Sequence, residues 1–245
     1  MEQLFSSLLA SFQWIEHGFG TRNSPPLPHD RIATMKQVHS ATVLVATTGG
    51  CVGEGDALVT DRPGLALAVR TADCLPILLV DPRNRAIAAV HSGWRGTVAG
   101  AAVSALNKMQ ENYKTNPFEV VAAIGPGIGP CCYEVGPEVA AQFSDLLTSP
   151  TVHEWGADPS VPGGSTAHKW GADPRVRGGR PRPPTNATAH LNLADANRSQ
   201  LIAAGIPDSQ IEVLPYCTKC RPDLFHSFRR DRAAAGRMIS FIRKV

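Results

Sequence analysis

Residues 65–94 read LALAVRTADCLPILLVDPRNRAIAAVHSGW and contain three short apolar runs, Leu65–Val69, Pro76–Val80 and Ala86–Val90. Runs of this length that are bounded by turn residues predict buried strands. The link between the second and third runs, residues 81–85, is too short for a helical crossover. These two strands are therefore predicted to pair antiparallel, as a hairpin.

Further strands and helices are predicted on both sides of this stretch. Apolar runs predict strands, and capping residues and stop signals predict helices. The strands are Val120–Ile124 and Ile211–Leu214, and the helices are Thr97–Tyr113, Pro137–Leu147 and Leu191–Ala204. Because strands and helices interleave, we expect an α+β or α/β fold with mixed β-sheet layers flanked by helices, as a single domain over residues 1–245.

A duplicated segment interrupts this pattern. The string HEWGADPSVPGG (His153–Gly164) is nearly repeated as HKWGADPRVRGG (His168–Gly179). Both copies are rich in glycine and proline and almost free of aliphatic residues, so they can bury little apolar surface. We expect residues 151–190 to be a disordered, repeat-bearing insertion at a tolerant surface site.

The composition is that of an ordinary globular protein. Apolar residues make up 43% of the chain and charged residues 18%, and 24 basic against 21 acidic residues give a net charge of +3. That charge is too small to indicate a nucleic-acid partner, and the sequence contains no apolar run long enough to indicate a membrane partner. The first residues carry no basic segment typical of a signal peptide, so we expect a cytoplasmic protein.

Two imidazoles and one thiol stand next to the ends of predicted strands. They are His39 in KQVHS, Cys74 in TADCLP and His91 in VHSGWRG. Imidazole and thiolate match the preference of zinc, and three protein ligands with a fourth position open to water are typical of a catalytic zinc site. Each residue also has an ordinary structural interpretation, since a histidine can satisfy a local hydrogen bond and a cysteine can pack as a small apolar side chain.

Five motifs together resemble one known family. The strings KQVHS, TADCLPILL, AVHSGWRGTVAG, GPGIGPCCYEVG and CTKCRPDLFHSFRRD…AGRM are similar, in this order, to the motifs of the YfiH or laccase-domain-containing family, also called the multicopper polyphenol oxidase family. The resemblance implies a YfiH-like fold in which His39, Cys74 and His91 bind zinc. It also implies purine nucleoside phosphorylase activity on nucleosides and phosphate, with adenosine deaminase and methylthioadenosine phosphorylase activities in the same site. We expect a monomer or a homodimer.

Phosphorolysis also needs cationic groups for phosphate, and arginine binds such anions with a bidentate fork. Arg95 lies four residues after His91 at a predicted helix start, and Arg22, Arg229 and Arg230 are further phosphate-binding candidates. For the last two, an exposed pair or an ion pair with Asp231 is the alternative. We take Arg95 as a catalytic candidate as well.

Asp73 precedes the cysteine of the predicted zinc site. It is the second catalytic candidate, either as a general acid or base or as a partner that orients a ligand histidine.

The region before His39 departs from the family pattern. Members usually carry a longer segment, with a helix, between the GFxTRxGG motif and QVH. In this chain His39 follows Arg22 by only seventeen residues. The resemblance therefore implies a changed wall of the substrate pocket.

Four more cysteines leave two interpretations open. Cys131, Cys132, Cys217 and Cys220 are either buried thiols or a four-thiolate zinc site or redox pair, although adjacent cysteines fit a tetrahedral chelate poorly.

Two other activities compete with the zinc enzyme. One is a copper-dependent polyphenol oxidase in which Met35 is a weak axial ligand, and the other is a metal-free hydrolase in which Cys74 is the nucleophile. A non-enzymatic partner-binding module is the remaining alternative.

Overall fold

Strands dominate the architecture of this chain. The computed structural model describes residues 3–27, 31–144, 152–153 and 189–245. In the first half of the chain the strands are β1 (Gln3–Leu4), β2 (Ile15–Gly20), β3 (Ile32–Lys36), β4 (Val43–Val45), β5 (Gly50–Glu54), β6 (Ala57–Thr60), β7 (Ala66–Thr71), β8 (Leu75–Asp81) and β9 (Ala86–Ser92). The later strands are β10 (Val121–Ile124), β11 (Glu134–Val135), β12 (Val152–His153), β13 (Ala189–Leu191), β14 (Ile211–Val213) and β15 (Met238–Lys244).

The longer strands form two six-stranded sheets. The first sheet has the order β1-β2-β15-β7-β3-β5, and the second has the order β14-β10-β8-β9-β6-β4. Both sheets are mixed: β3 runs parallel to β5 and β7, and β4 runs parallel to β6, whereas most other neighbours are antiparallel. The fold is thus a mixed α+β architecture of sheet layers flanked by a few helices, as the sequence predicts.

The β8–β9 hairpin is the centre of the second sheet. The two strands pair antiparallel from Leu75↔Ser92 to Asp81↔Ala86, which confirms the predicted hairpin. Successive side chains of a strand point to opposite faces, so each strand contributes to two cores. Ile77 and Leu79 pack against the helices on one face, whereas Leu78 and Val80 pack against the first sheet on the other. Burial on both faces explains why these strands read as unbroken apolar runs.

The helices are short, and the first four of them contribute to the core on one face of the second sheet. They are α1 (Trp94–Val98), α2 (Ala101–Tyr113), α3 (Pro137–Ser144), α4 (Leu193–Ala203) and α5 (Phe228–Asp231). The predicted helix Thr97–Tyr113 is wrong at its start. Thr97 belongs to α1, and the chain turns at Gly100, whose φ of 73° is left-handed, before α2 begins. A glycine adopts that φ without the steric cost that other residues incur.

The bounds of the predicted helix Leu191–Ala204 also shift, whereas the predicted helix at Pro137 begins where the sequence predicts. Helix α4 begins at Leu193 because the side chain of Asn192 caps it by accepting a hydrogen bond from the Asp195 N–H, so the predicted start at Leu191 is two residues early. Leu191 is instead the last residue of β13. The final residues of the predicted helix Pro137–Leu147, after Ser144, lie outside the described residues.

A small third sheet flanks the duplicated segment. It has the order β11-β13-β12, and β12 pairs antiparallel with β13 through Val152↔Leu191 and His153↔His190. Of the predicted insertion 151–190, only residues 152–153 and 189–190 are described; the two repeat copies beyond His153 lie outside the described residues. The chain therefore leaves and re-enters the described fold at adjacent positions.

Within the described ranges, no helix combines the length and the apolar character that crossing a membrane requires.

Candidate active site

The strand register brings three predicted ligands to one edge of the second sheet. Because β8 and β9 are antiparallel, the start of β8 lies beside the end of β9, so Cys74 lies next to His91. The start of β6 lies at the same edge, where Ala57 pairs with Val90. The start of β4 pairs with the start of β6, and this places the preceding loop, with His39, above the other two side chains.

The donor atoms of His39, Cys74 and His91 all lie within 4.8 Å of one another. The two imidazole rings stand nearly edge to face, with centroids 4.9 Å apart and an interplanar angle of 75°. His91 is buried, whereas His39 is exposed to the cavity. The backbone of Gly93 passes so close that a Cβ there would lie 2.7 Å from the Cys74 Sγ.

A buried carboxylate, Asp56, supports these side chains from behind. Its Oδ1 lies 2.8 Å from the His91 Nδ1 and accepts the His39 backbone N–H at 3.0 Å. Its Oδ2 accepts the backbone N–H of Val38 at 3.2 Å and that of Ser40 at 2.5 Å, and also the Ser40 hydroxyl. Asp56 thereby holds both the loop of one histidine and the ring of the other.

The electrostatics favour an ionised carboxylate and an ionised thiol. Burial opposes charge on Asp56, but hydrogen bonds from His91 and Ser40 outweigh it and lower the pKa of Asp56 to about 2. Burial likewise opposes the Cys74 thiolate, but His39 and His91 lower the pKa of this thiol to about 7. For His91, the contacts with Asp56 and Cys74 overcome burial and raise the pKa to about 9.

The three side chains fit a metal ion. Because Asp56 occupies Nδ1 of His91, the other ring nitrogen is available for coordination, which is the carboxylate–histidine arrangement common at metal sites. A lowered thiol pKa also favours the thiolate that metal binding requires. Two imidazoles and one thiolate are donors that zinc and copper both accept.

Two residues at this site adopt left-handed backbone conformations. His39 has a φ of 61° and Asp73 has a φ of 82°. Such angles are uncommon for residues other than glycine, and asparagine and aspartate tolerate them best. For His39, the backbone hydrogen bonds to Asp56 hold this conformation.

The Asp73 carboxylate binds a second loop and not a ligand histidine. Its Oδ1 accepts the Thr218 hydroxyl at 2.6 Å, and its Oδ2 accepts the Ser227 hydroxyl at 3.1 Å and the Arg229 backbone N–H at 2.6 Å. The carboxylate that contacts the His91 ring is Asp56, and the Asp73 hydrogen bonds go to this second loop, so they do not support a role for Asp73 in orienting His91. Asp73 does line the cavity beside the three donors.

A cavity of about 990 Å³ opens above the three donors. Its aromatic side chains are Trp94, Tyr133 and Phe228. Burial and the nearby Cys74 raise the pKa of Tyr133 to about 12, so its hydroxyl keeps its proton at neutral pH. Its cationic side chains, among the described residues, are Lys36, Arg70, Arg95, Arg229, Arg232 and Arg237.

The four predicted phosphate-binding arginines divide into two pairs. Arg95 and Arg229 line the cavity, where their guanidinium groups lie 4.4 Å from the centroid of the Trp94 ring and 5.1 Å from that of the Tyr133 ring. Arg22 instead donates to the carbonyl of Pro222. Arg230 forms an ion pair with Asp231 at 2.7 Å, the alternative stated above. The positions of Arg22 and Arg230 therefore do not support phosphate binding.

Several functional candidates were missed in the sequence. Asp56 gave a signal, since in GEGDALVT this acidic residue stands directly before an apolar run, but its partner depends on the pairing of β6 with β9. Arg237 stands in the AGRM motif but was not taken as a site residue, and Arg70 and Arg232 have no such motif; the folded chain brings all three to the cavity.

The region before His39 has no helix in its described part. Residues 21–27 contain a turn, and β3 starts at Ile32. Met35 lies on β3, is buried, and lines the cavity near the donors.

Two histidines and a cysteine thus lie at one sheet edge, beneath a cavity lined by cationic side chains. The sequence of the chain identifies the class of protein to which this site belongs. Residues 21–244 match the family model described as multi-copper polyphenol oxidoreductase laccase, so the chain belongs to this family.

Characterised relatives are named for nucleoside chemistry. The chain is 34% identical over 225 residues to purine nucleoside phosphorylase YlmD of Geobacillus stearothermophilus. The alignment covers 88% of this chain and 73% of that protein. It is 37% identical over 187 residues to a purine nucleoside phosphorylase of Bacteroides thetaiotaomicron. That alignment covers 76% of this chain and 60% of the relative. It is 35% identical over 187 residues to adenosine deaminase RL5 of an unknown prokaryotic organism, with coverage of 76% and 61%.

Solved structures show the same fold. The crystal structure of YlmD from Geobacillus stearothermophilus matches with a TM-score of 0.80 at 28% identity, over 100% of this chain and 96% of that chain. That of the hypothetical protein YfiH from Bacillus licheniformis matches with a TM-score of 0.75 at 29% identity, over 95% and 94% of the two chains. The chain thus has the fold of YfiH and YlmD, and its named relatives show that it is an enzyme.

Proposed function

We propose that this enzyme is a zinc-dependent purine nucleoside phosphorylase that converts a purine nucleoside and phosphate into the free base and ribose 1-phosphate. The observation that carries the proposal is one cavity in which three metal-binding side chains, several arginines and several aromatic rings face the same space. The names of the relatives agree with it.

The cationic groups suit the phosphate. Arg95 and Arg229 present guanidinium forks from different segments, and the additional arginines raise the positive potential of the cavity. Such forks bind phosphate oxygens in bidentate fashion and orient the anion for attack. Helix α1 has only five residues, so the arginine side chains, more than the helix terminus, account for anion binding.

The aromatic groups suit the nucleoside. Trp94, Tyr133 and Phe228 offer apolar faces on which a purine can stack. The Tyr133 hydroxyl stays protonated at neutral pH and can donate a hydrogen bond to a purine that gains negative charge as the glycosidic bond breaks.

His39, Cys74 and His91 would hold the zinc ion, with Asp56 fixing His91. When bound, the zinc would supply a Lewis-acid charge at the floor of the cavity. Asp73 keeps Arg229 in the cavity wall through its backbone N–H. A cytoplasmic location belongs to the same proposal, because the reducing cytosol keeps the Cys74 thiol available.

The test is product analysis with adenosine or inosine, in the presence and absence of phosphate. We expect free base and ribose 1-phosphate only when phosphate is present. His39→Ala should lose at least ~100-fold in kcat/KM, as expected when a catalytic metal is lost. Arg95→Ala should raise the KM for phosphate, whereas Arg198→Ala should not, because Arg198 forms a surface ion pair with Asp208. Turnover that does not respond to phosphate would exclude phosphorolysis.

Adenosine deamination is a second candidate for the same cavity. The relative named adenosine deaminase favours it, and a metal site with three protein ligands leaves a position for water. The same assay separates the two, because deamination converts adenosine to inosine and ammonia without phosphate. Methylthioadenosine, added with phosphate, tests the third activity.

Metal analysis tests the choice of zinc. Protein purified from medium that contains both zinc and copper should hold zinc at the His39–Cys74–His91 site and show no intense blue absorption. Copper with such a band, and oxidation of phenols, would instead favour the oxidase. Turnover that survives complete metal removal and is abolished by alkylation of Cys74 would favour the hydrolase.

A further inference from the structure

Four cysteines from two distant segments meet in space. The sulfurs of Cys131, Cys132, Cys217 and Cys220 all lie within 4.8 Å of one another. They come from two segments that are about 85 residues apart in sequence, residues 131–132 and 217–220. This cluster shares no residue with the His39–Cys74–His91 site.

The distances fit one tetrahedral ion. The Cys220 Sγ lies 3.5 Å from that of Cys131 and 3.3 Å from that of Cys132. A zinc ion bound at about 2.3 Å by four sulfurs would separate them by about 3.8 Å. The sulfurs therefore already stand near ligand positions around a common centre.

The distances do not fit a disulfide. A disulfide joins two sulfurs at about 2.05 Å, one partner each. In this cluster Cys220 is nearly equidistant from two sulfurs, and all four thiols are free. An iron–sulfur cluster of several metal atoms would hold the four sulfurs further apart than they stand.

Local backbone structure removes the objection to adjacent cysteines. The chain turns after Gly129, whose carbonyl accepts the N–H groups of both Cys132 and Tyr133 at 3.0 Å. In a turn, adjacent side chains need not point to opposite faces, as they must in a strand. Cys131 and Cys132 can therefore both face Cys220.

The surroundings also support a bound thiolate. The Gly129 backbone N–H donates to the Cys217 Sγ at 3.2 Å, which is the kind of second hydrogen bond that supports metal-bound sulfur. The backbones of the two segments pair directly, since Gly127 bridges to Cys217 and the Thr218 N–H donates to the Gly127 carbonyl at 2.9 Å.

We infer that Cys131, Cys132, Cys217 and Cys220 form a second, structural zinc site. Its four thiolates close the coordination sphere, so the ion binds no substrate. The ion pins two segments next to the cavity: one continues into Tyr133, which lines it, and the other carries Thr218, whose hydroxyl donates to the cavity residue Asp73. Joining segments so distant in sequence restricts a long loop in the unfolded chain, where a cross-link contributes most.

The first test counts metal in the full chain. Chain purified from zinc-supplemented medium should contain two zinc ions. The double variant C217S/C220S should contain one, and His39→Ala should also contain one. Cys51→Ser is the matched control, because Cys51 is an exposed cysteine outside both groups, and it should retain two. One zinc in the natural chain that survives in C217S/C220S would overturn the inference.

The second test does not depend on how well the double variant folds. After removal of zinc, cobalt(II) added to the natural chain should give the intense sulfur-to-metal absorption of a four-thiolate site, and Cys74→Ser should keep most of it. Loss of that absorption in Cys74→Ser would show that the sulfur ligands belong to the other site. A disulfide between any two of the four cysteines, found by mass spectrometry without reduction, would also overturn the inference, as would iron in place of zinc.

Discussion

Asp56 illustrates how much a single buried residue determines at this site. Its two oxygens receive the ring of His91 and three consecutive backbone N–H groups from Val38 to Ser40. The same carboxylate therefore shapes the loop of one ligand and orients the ring of another, without being a ligand.

Asp56→Asn should weaken metal binding at the His39–Cys74–His91 site. The amide keeps one acceptor oxygen but loses the charge that fixes the His91 tautomer, and loss of such a partner lowers metal affinity by about 10- to 100-fold. Competition with a zinc chelator measures the change. Asp223→Asn is the control, because Asp223 forms an exposed ion pair with Arg221. An affinity equal to that of the natural chain would show that Asp56 only supports the loop.

Asp73→Asn separates a positioning role from proton transfer. Because Asp73 accepts from Thr218, Ser227 and Arg229, the variant should lose about 1–3 kcal/mol of stability and raise the KM for phosphate. Urea unfolding and steady-state kinetics measure these effects. A fall of ~10²–10⁴ in kcat with unchanged stability and KM would instead identify Asp73 as the general acid or base.

At the scale of elements, the break between α1 and α2 depends on Gly100. Its φ of 73° lies in the left-handed region, and a Cβ at this position would meet open space. Gly100→Ala should therefore destabilise the protein by about 1 kcal/mol through backbone strain alone. Gly96→Ala is the control, because Gly96 lies in α1 and its Cβ would make only ordinary contacts at 3.6 Å. Equal unfolding midpoints in urea for the two variants would contradict this explanation.

The N-terminal segment is tied to β14 through Glu212. Its carboxylate accepts the hydroxyls of Ser6 and Ser7 and the N–H of Leu8. Burial opposes the charge on Glu212, but these hydrogen bonds outweigh it and lower its pKa.

Glu212 should therefore make the stability depend on acid. Its folded pKa is lowered, so its contribution is complete above the unfolded pKa of about 4.3 and is lost as the pH falls below that value. Since the site is partly exposed, we expect at most about 1 kcal/mol. Urea unfolding between pH 7 and pH 3 should show a smaller loss for Glu212→Gln than for the natural chain. Parallel curves for the two proteins would exclude Glu212 as a source of the dependence.

The sequence predicts some elements well because their environment is uniform. Residues 76–80 and 86–90 are buried on both faces, so every position is apolar and the run is visible. Strand β2 (IEHGFG) mixes glycine, charge and aromatic residues, and β3 (IATMK) alternates in burial, so neither gives a clear run. The break at Gly100 was missed because a glycine within a helical pattern is compatible with either outcome.

The sequence predicts the three candidate metal ligands but not the buried carboxylate that holds them in place. His39, Cys74 and His91 stand in recognisable motifs, as do Arg95 and Arg229, whereas Asp56 reaches the site only through the pairing of β6 with β9. The spacing of Cys131 and Cys132 along the chain does not predict that both can face Cys220, because it does not reveal the turn at Gly129 that aligns them.

At the scale of the whole molecule, the pairing of β12 with β13 makes the intervening segment removable. Because His153 pairs with His190, the chain on either side of residues 154–189 is already held together. Replacing residues 155–188 by an Asn-Gly turn should leave the fold intact. Stability should rise slightly, since each halving of the number of residues between the paired positions lowers the entropic cost of joining them by about 0.6 kcal/mol. Urea unfolding measures this change, and a loss of more than about 2 kcal/mol would mean that the removed residues contribute to the core.

Gly93 has an ordinary φ of −87°, so its backbone would accept any amino acid. The nearest obstacle is the sulfur of Cys74, which would lie 2.7 Å from a Cβ at this position. If codon 93 were fully randomised and surviving clones were selected for zinc retention, glycine alone should be recovered. Alanine should reappear when codon 74 varies as well only in a library selected for folding instead of zinc retention, because Cys74 is itself a proposed zinc ligand.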